Sequence, residues 1–106
     1  MAFKVELHTD AEIELDETIT YYPISIGLKF RAVVKKSLLD ISGQPNRWPV
    51  MLRHRGFQVR KRMIPRFPHK IIYTEHPQGT ILILAIAHGK REPGYWMERI
   101  PDNDSD

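Results

Sequence analysis

Residues 80–87 read Thr-Ile-Leu-Ile-Leu-Ala-Ile-Ala. Odd and even positions are both apolar, so neither face of this segment is built for water. That is the composition of a strand covered on both sides or placed centrally in a sheet. Just before it, Pro77-Gln78-Gly79 signals a turn. Residues 69–75, His-Lys-Ile-Ile-Tyr-Thr-Glu, then form a neighbouring strand, with Lys70 on the face opposite Ile71 and Tyr73. Residues 57–64, Phe-Gln-Val-Arg-Lys-Arg-Met-Ile, give one more. There Phe57, Val59 and Met63 share a face and Gln58, Arg60 and Arg62 take the other, while Lys61 breaks the alternation.

Upstream of these strands the period changes. Residues 44–50, Gln-Pro-Asn-Arg-Trp-Pro-Val, make an irregular connector with two prolines, in which Trp48 reads as a core anchor or a stacking platform. Before it, Phe30, Val33, Val34, Leu38 and Ile41 form one stripe of a helix over residues 28–42. Lys29, Lys35 and Lys36 lie on its other side, and Gly43 and Pro45 are stop signals. A first helix carries Ala11, Leu15, Ile19 and Tyr22 at helical spacing and ends before Pro23. Thr9 with Glu12 three residues on predicts a capping box at its start. Two helices joined by so short a link form an antiparallel hairpin. Residues 3–8, Phe-Lys-Val-Glu-Leu-His, alternate as a half-buried strand. The order is β-α-α-β-β-β, an α+β domain with an N-terminal helix hairpin packed on a mostly antiparallel sheet.

The chain has 106 residues, 42% of them hydrophobic and 27% charged, which suits one domain. That domain is expected over residues 1–99, followed by an acidic, disordered tail at 100–106. There is no apolar run long enough to span a membrane, and no signal-peptide stretch at the start, so a cytoplasmic protein is expected. Cysteine is absent, which excludes a disulfide scaffold, a thiolate metal site and a cysteine nucleophile. His8, His54, His69 and His76 show no metal-ligand spacing, so neither metal nor cofactor is expected. The net charge of +3 hides a separation along the chain. Residues 29–70 carry twelve basic residues against the single acid Asp40, a segment at +11 suited to an anionic partner. The segments on either side are acidic.

Three segments carry a resemblance: Arg47-Trp48-Pro49, then Arg66-Phe67-Pro68-His69-Lys70-Ile71-Ile72-Tyr73, then Ile83-Leu84-Ala85-Ile86-Ala87-His88-Gly89-Lys90-Arg91-Glu92-Pro93-Gly94-Tyr95-Trp96 followed by Arg99. In their order and spacing the chain resembles the RelE/ParE superfamily of type II toxin–antitoxin toxins, specifically its ParE-like branch (plasmid stabilisation proteins). The acidic first helix ending in Tyr21-Tyr22 and the run Gly27-Leu28-Lys29-Phe30 also fit. The resemblance implies a small toxin made beside a labile antitoxin that wraps and neutralises it, in a toxin–antitoxin hetero-oligomer. ParE-branch members poison DNA gyrase, and RelE members cut messenger RNA in the ribosomal A site. One fold carries both, so the fold does not choose between them.

RNA cleavage needs a group to take the 2′ proton, cations for the phosphorane charge and an acid for the leaving oxygen. The family's set is basic residues on two strands, an arginine after the last strand and a C-terminal tyrosine. Arg60 and Arg62 stand where the strand lysines would be, Lys70 where the second-strand arginine would be, and Arg91 matches within Gly89-Lys90-Arg91-Glu92. The tyrosine match fails: Tyr95 lies two residues early, with Met97 in the expected place. Arginine is a poor general base because it keeps its proton. His88 could supply acid–base chemistry, or could close the last strand by bonding backbone. Charge without a base favours a toxin that binds and inhibits DNA gyrase over an enzyme. Its expected target surface is Arg60, Arg62 and Lys70 with Lys90, Arg91, Tyr95, Trp96 and Arg99, arginines and aromatics being the composition of interface hot spots. Tyr95 and Trp96 could equally cap the core. The alternatives are a ribosome-dependent endoribonuclease and a non-toxic member that only pairs with its antitoxin. An antitoxin helix is expected in the groove by the helix hairpin, its chain continuing over the basic sheet face.

Overall fold

The computed structural model describes residues 2–76 and 78–102. Strand β1 (Lys4–Leu7) leads into helix α1 (Thr9–Tyr21) and helix α2 (Ile24–Gly43). A short 3-10 turn at Pro45–Arg47 precedes strands β2 (Val50–His54), β3 (Phe57–Met63), β4 (His69–Glu75) and β5 (Thr80–His88). A second 3-10 turn, Met97–Arg99, closes the chain. The sheet order is β1-β5-β4-β3-β2, with β1 parallel to β5 and every other pair antiparallel. The α+β class and the helix hairpin on a mostly antiparallel sheet are as the periodicity predicts, and β5 is interior.

The structure adds β2, a strand that alternation does not mark. It turns into β3 through Arg55 (φ 53°) and Gly56 (φ 83°), two left-handed residues that match the twist of a tight hairpin. The start of α1 also differs from expectation. Thr9 is its first residue rather than its cap, and His8 Nδ1 accepts the Asp10 N–H at 3.1 Å. Helix α2 begins at Ile24, four residues before the expected start at residue 28 and directly after Pro23. The turn predicted at residues 77–79 falls partly on Pro77, and the tail at residues 103–106 entirely, outside the described residues.

Apolar side chains fill both sides of the sheet. On the helix side, Phe30, Val34 and Ile41 of α2 pack with Ile71, Tyr73, Ile83 and Ile86. On the other side, Phe57, Val59, Ile72, Leu84, Ala85 and Ala87 are covered by Trp96 and Ile100. Ile100, counted with the tail in the sequence reading, is therefore part of the core. Strand β5 serves both sides by alternation, and a register shift opposite Ile72 and Tyr73 leaves Leu84 unpaired, so that it and its neighbour Ala85 both enter the second cluster. The helices cross closely at Gly27, where a Cβ would run into the Ile19 carbonyl.

Candidate functional site

Strand β1 is four residues long and pairs only with Thr80–Ile83. Past Ile83 this edge of β5 has no strand beside it among the described residues, and unpaired strand edges must be closed by something else. Here side chains close it. Arg99 Nη1 donates to the Leu84 carbonyl at 2.9 Å, and Glu14 Oε1 accepts the Ile86 N–H at 3.0 Å. Glu14 Oε2 in turn accepts from the Tyr95 hydroxyl at 2.8 Å and from Arg99 Nη2 at 2.9 Å. Asp10 lies 3.7 Å from Arg99 Nε. The Glu14 and Arg99 side chains are each 13% exposed, so the pair is largely withdrawn from water.

The C-terminal segment reaches this edge because its turn spaces side chains alternately. Tyr95 and Arg99, four apart, point to Glu14 on α1. Trp96 and Ile100, again four apart, pack on the far side of the sheet. The segment thus straddles β5, and Arg55 Nη1 holds its end through the Ile100 carbonyl at 3.0 Å.

Beside this edge lies a cavity of about 370 Å³ between α1, the ends of β4 and β5, and the C-terminal segment. Tyr21 and Tyr22 line it from the end of α1 and its cap, His69, Ile86 and His88 from the sheet, and Arg91 and Tyr95 from the segment that follows. Arg91 stacks on the Tyr95 ring at 3.8 Å. Burial pushes the Tyr95 hydroxyl up to about 12, helped by its hydrogen bond to the Glu14 carboxylate. Burial pulls Arg99 down, but Glu14, Tyr95 and Asp10 outweigh it and hold the guanidinium above its ordinary value. His69 is lowered to about 4 by burial and by His88, whose ring lies 4.9 Å away, so it is neutral at pH 7.

The predicted site residues divide into separate groups. His88, Arg91 and Tyr95 line one cavity, and Arg99 anchors its floor through Glu14. His88 also closes β5 through backbone, its Nδ1 accepting the Lys90 N–H at 3.0 Å. Arg60 and Arg62 are elsewhere, and they do not share a face with Lys70. Their register partners Tyr73 and Ile71 belong to the helix-side core, whereas Lys70 pairs with Ala87 on the opposite side. Arg62 is bound at 3.0 Å to Asp40 of α2 and stacks on Trp48 at 4.5 Å. Arg60 donates to the Trp48 carbonyl at 2.6 Å. Lys61, which shares a side with Ile72, is the strand cation on the Lys70 side. Trp48 is accordingly an anchor, flanked by two guanidinium groups. Trp96 is 2% exposed, which places it in the core rather than on a target surface. The expectation of one basic sheet patch is thus corrected: strand alternation sends consecutive cations of β3 to opposite sides. Lys90 remains on the exposed turn after β5.

Glu14 is the residue that sequence reasoning missed. It stands three residues after Ala11 and four before Thr18, at the spacing of the inward stripe of α1. A carboxylate at that spacing, in a helix whose other acids face outward, is the available signal.

Comparison with known proteins bears on this arrangement. A solved structure of the E. coli toxin RelE, an arginine-to-alanine double mutant in the free state, superposes with a TM-score of 0.68. The match covers 95% of this chain and 100% of that one at 14% identity, and so shows a shared fold. No curated protein sequence matches the chain. The family model described as ParE toxin of type II toxin–antitoxin system, parDE, matches residues 5–93. A strand, a helix hairpin and an antiparallel sheet in RelE-like order, together with that match over most of the chain, lead to one conclusion: this protein belongs to the ParE toxin family of type II toxin–antitoxin systems.

Proposed function

We propose that this toxin acts by binding DNA gyrase and blocking it, and that a cognate antitoxin neutralises it. The observation that carries the reading is the dispersal of the cations an RNA-cleaving site would need. Arg60 and Arg62 are committed to Trp48 and Asp40 under the helices, and Lys70 faces the other way. The Tyr95 hydroxyl is committed to Glu14. What stays exposed near the β5 edge is Lys90 and Arg91, with Tyr95 as a stacking surface, a set that can grip but is poorly equipped to cut.

A second reading, cleavage of messenger RNA on the ribosome, has one observation in its favour: His88 and Arg91 line the same cavity. The two are separated by inducing the protein and mapping ribosome positions on reporter messages. A gyrase-directed toxin provokes the DNA-damage response and leaves messages uncut. A-site cuts that vanish with Arg91→Ala would replace the gyrase reading with the nuclease one.

The antitoxin has a ready surface on α2. Ile24, Leu28, Arg31, Lys35 and Leu39 recur at steps of three, four and four residues after the first turn, and all are exposed. This is an unpartnered apolar stripe with basic members, the groove-lining half of a contact with an amphipathic, acidic helix.

A further inference from the structure

The cavity beside α1 is lined by a cation that pairs with no carboxylate among the described residues. This is the Arg91 guanidinium, whose Cζ lies over the Tyr95 ring, 3.8 Å from its centroid. Its edge is free to take a planar anion.

The walls specify the rest of the ligand. Tyr21, Tyr22, His88 and Tyr95 all line the cavity, so several rings border the space. Aromatic rings favour a flat aromatic guest at stacking or edge distance. The volume, about 370 Å³, falls within the range of small-molecule sites. Glu14 does not repel an anion strongly, because Ile86, Tyr95 and Arg99 already satisfy its oxygens. Glu17, which also lines the cavity, carries the same charge as the ligand, but it is exposed, whereas its contact with Tyr95 positions Arg91.

We propose that this cavity binds a planar aromatic carboxylate, its ring among the tyrosine and histidine rings and its carboxylate on Arg91. Occupancy engages a cation of the proposed gyrase surface, so such a ligand antagonises the toxin. Binding itself is read with no target present, and its failure is therefore distinct from failure of the gyrase reading.

The test titrates 4-hydroxybenzoate into the purified full chain while following the His69 and His88 imidazole signals by NMR. Both should shift saturably, with half-saturation below the millimolar range. Arg91→Gln should weaken binding by about tenfold or more, the loss of one charge-assisted bidentate contact. Lys61→Gln, on the far side of the sheet, should leave it within about twofold. Phenol lacks the anion and benzamidine reverses the charge, and both should bind far more weakly. The proposal is overturned if no saturable shift appears into the millimolar range, if Arg91→Gln binds as the parent does, or if either control matches 4-hydroxybenzoate.

Discussion

Glu14 concentrates more of the fold's polar bonding than any other side chain at the β5 edge. It accepts from a strand amide, a tyrosine and an arginine, and so joins α1, β5 and the C-terminal segment at one carboxylate. Replacing it by glutamine keeps the size but removes the charge, leaving the largely buried Arg99 with only Asp10, at 3.7 Å, as an ionic partner. Breaking a fully buried pair costs about 3–5 kcal/mol. With both partners slightly exposed, Glu14→Gln should cost about 2–3 kcal/mol, a fall in Tm of about 10 °C or more by calorimetry. Arg99→Gln on that background should cost much less than it does alone. His69 gives a pH dependence with a definite sign. Its pKa falls from 6.5 to about 4 on folding, so the folded chain binds fewer protons there than the unfolded one. Stability from this group is complete above pH 6.5 and is lost as pH falls toward 4, by about 2–3 kcal/mol. Urea midpoints measured from pH 7 to pH 4 should show the decline, and His69→Gln should flatten it. At this scale the sequence was least legible. Types and spacing mark Arg60 and Arg62 as cations on one side of a strand, but they cannot say that this side is the one the helices cover. Asp40 and Trp48 decide that, and both are distant in sequence.

Elements were more legible because periodicity reports burial directly. The two-sided apolar run at residues 80–87 is the interior strand, and the alternating and helical stripes fall on β1, β3, β4, α1 and α2. Strand β2 escaped because its residues, Val-Met-Leu-Arg-His, do not alternate cleanly and pair through an irregular register. The capping box failed for a different reason: His8 offers an imidazole nitrogen one residue earlier and takes the role. The α1–α2 crossing yields a prediction of its own. Gly27→Ala puts a methyl group against the Ile19 backbone, where no side chain can move aside. Overpacking of this kind costs about 1–3 kcal/mol, and the helix propensity gained from alanine should recover less than about 1 kcal/mol. Denaturant unfolding should therefore show net destabilisation, whereas Gly43→Ala, with open space at its Cβ, should not be destabilising.

At the scale of the molecule, the +11 segment does not make one cationic face. Its charges go to the outer side of α2, to the sheet under the helices, and to the opposite sheet side with Lys61 and Lys70. The antitoxin and the target can accordingly use different surfaces. Charge-reversing Lys35→Glu together with Leu28→Ser should weaken antitoxin binding by about tenfold or more, measured by dissociation rate, with little change in Tm because both side chains are exposed. The same pair should leave growth inhibition intact. The most direct test of binding at the β5 edge is supercoiling by purified gyrase in the presence of this protein, run beside in vitro translation with the same preparation. Supercoiling should stall, Arg91→Ala should relieve the block by about tenfold or more in the concentration required, and translation should proceed. Unimpeded supercoiling with arrested translation would contradict the account.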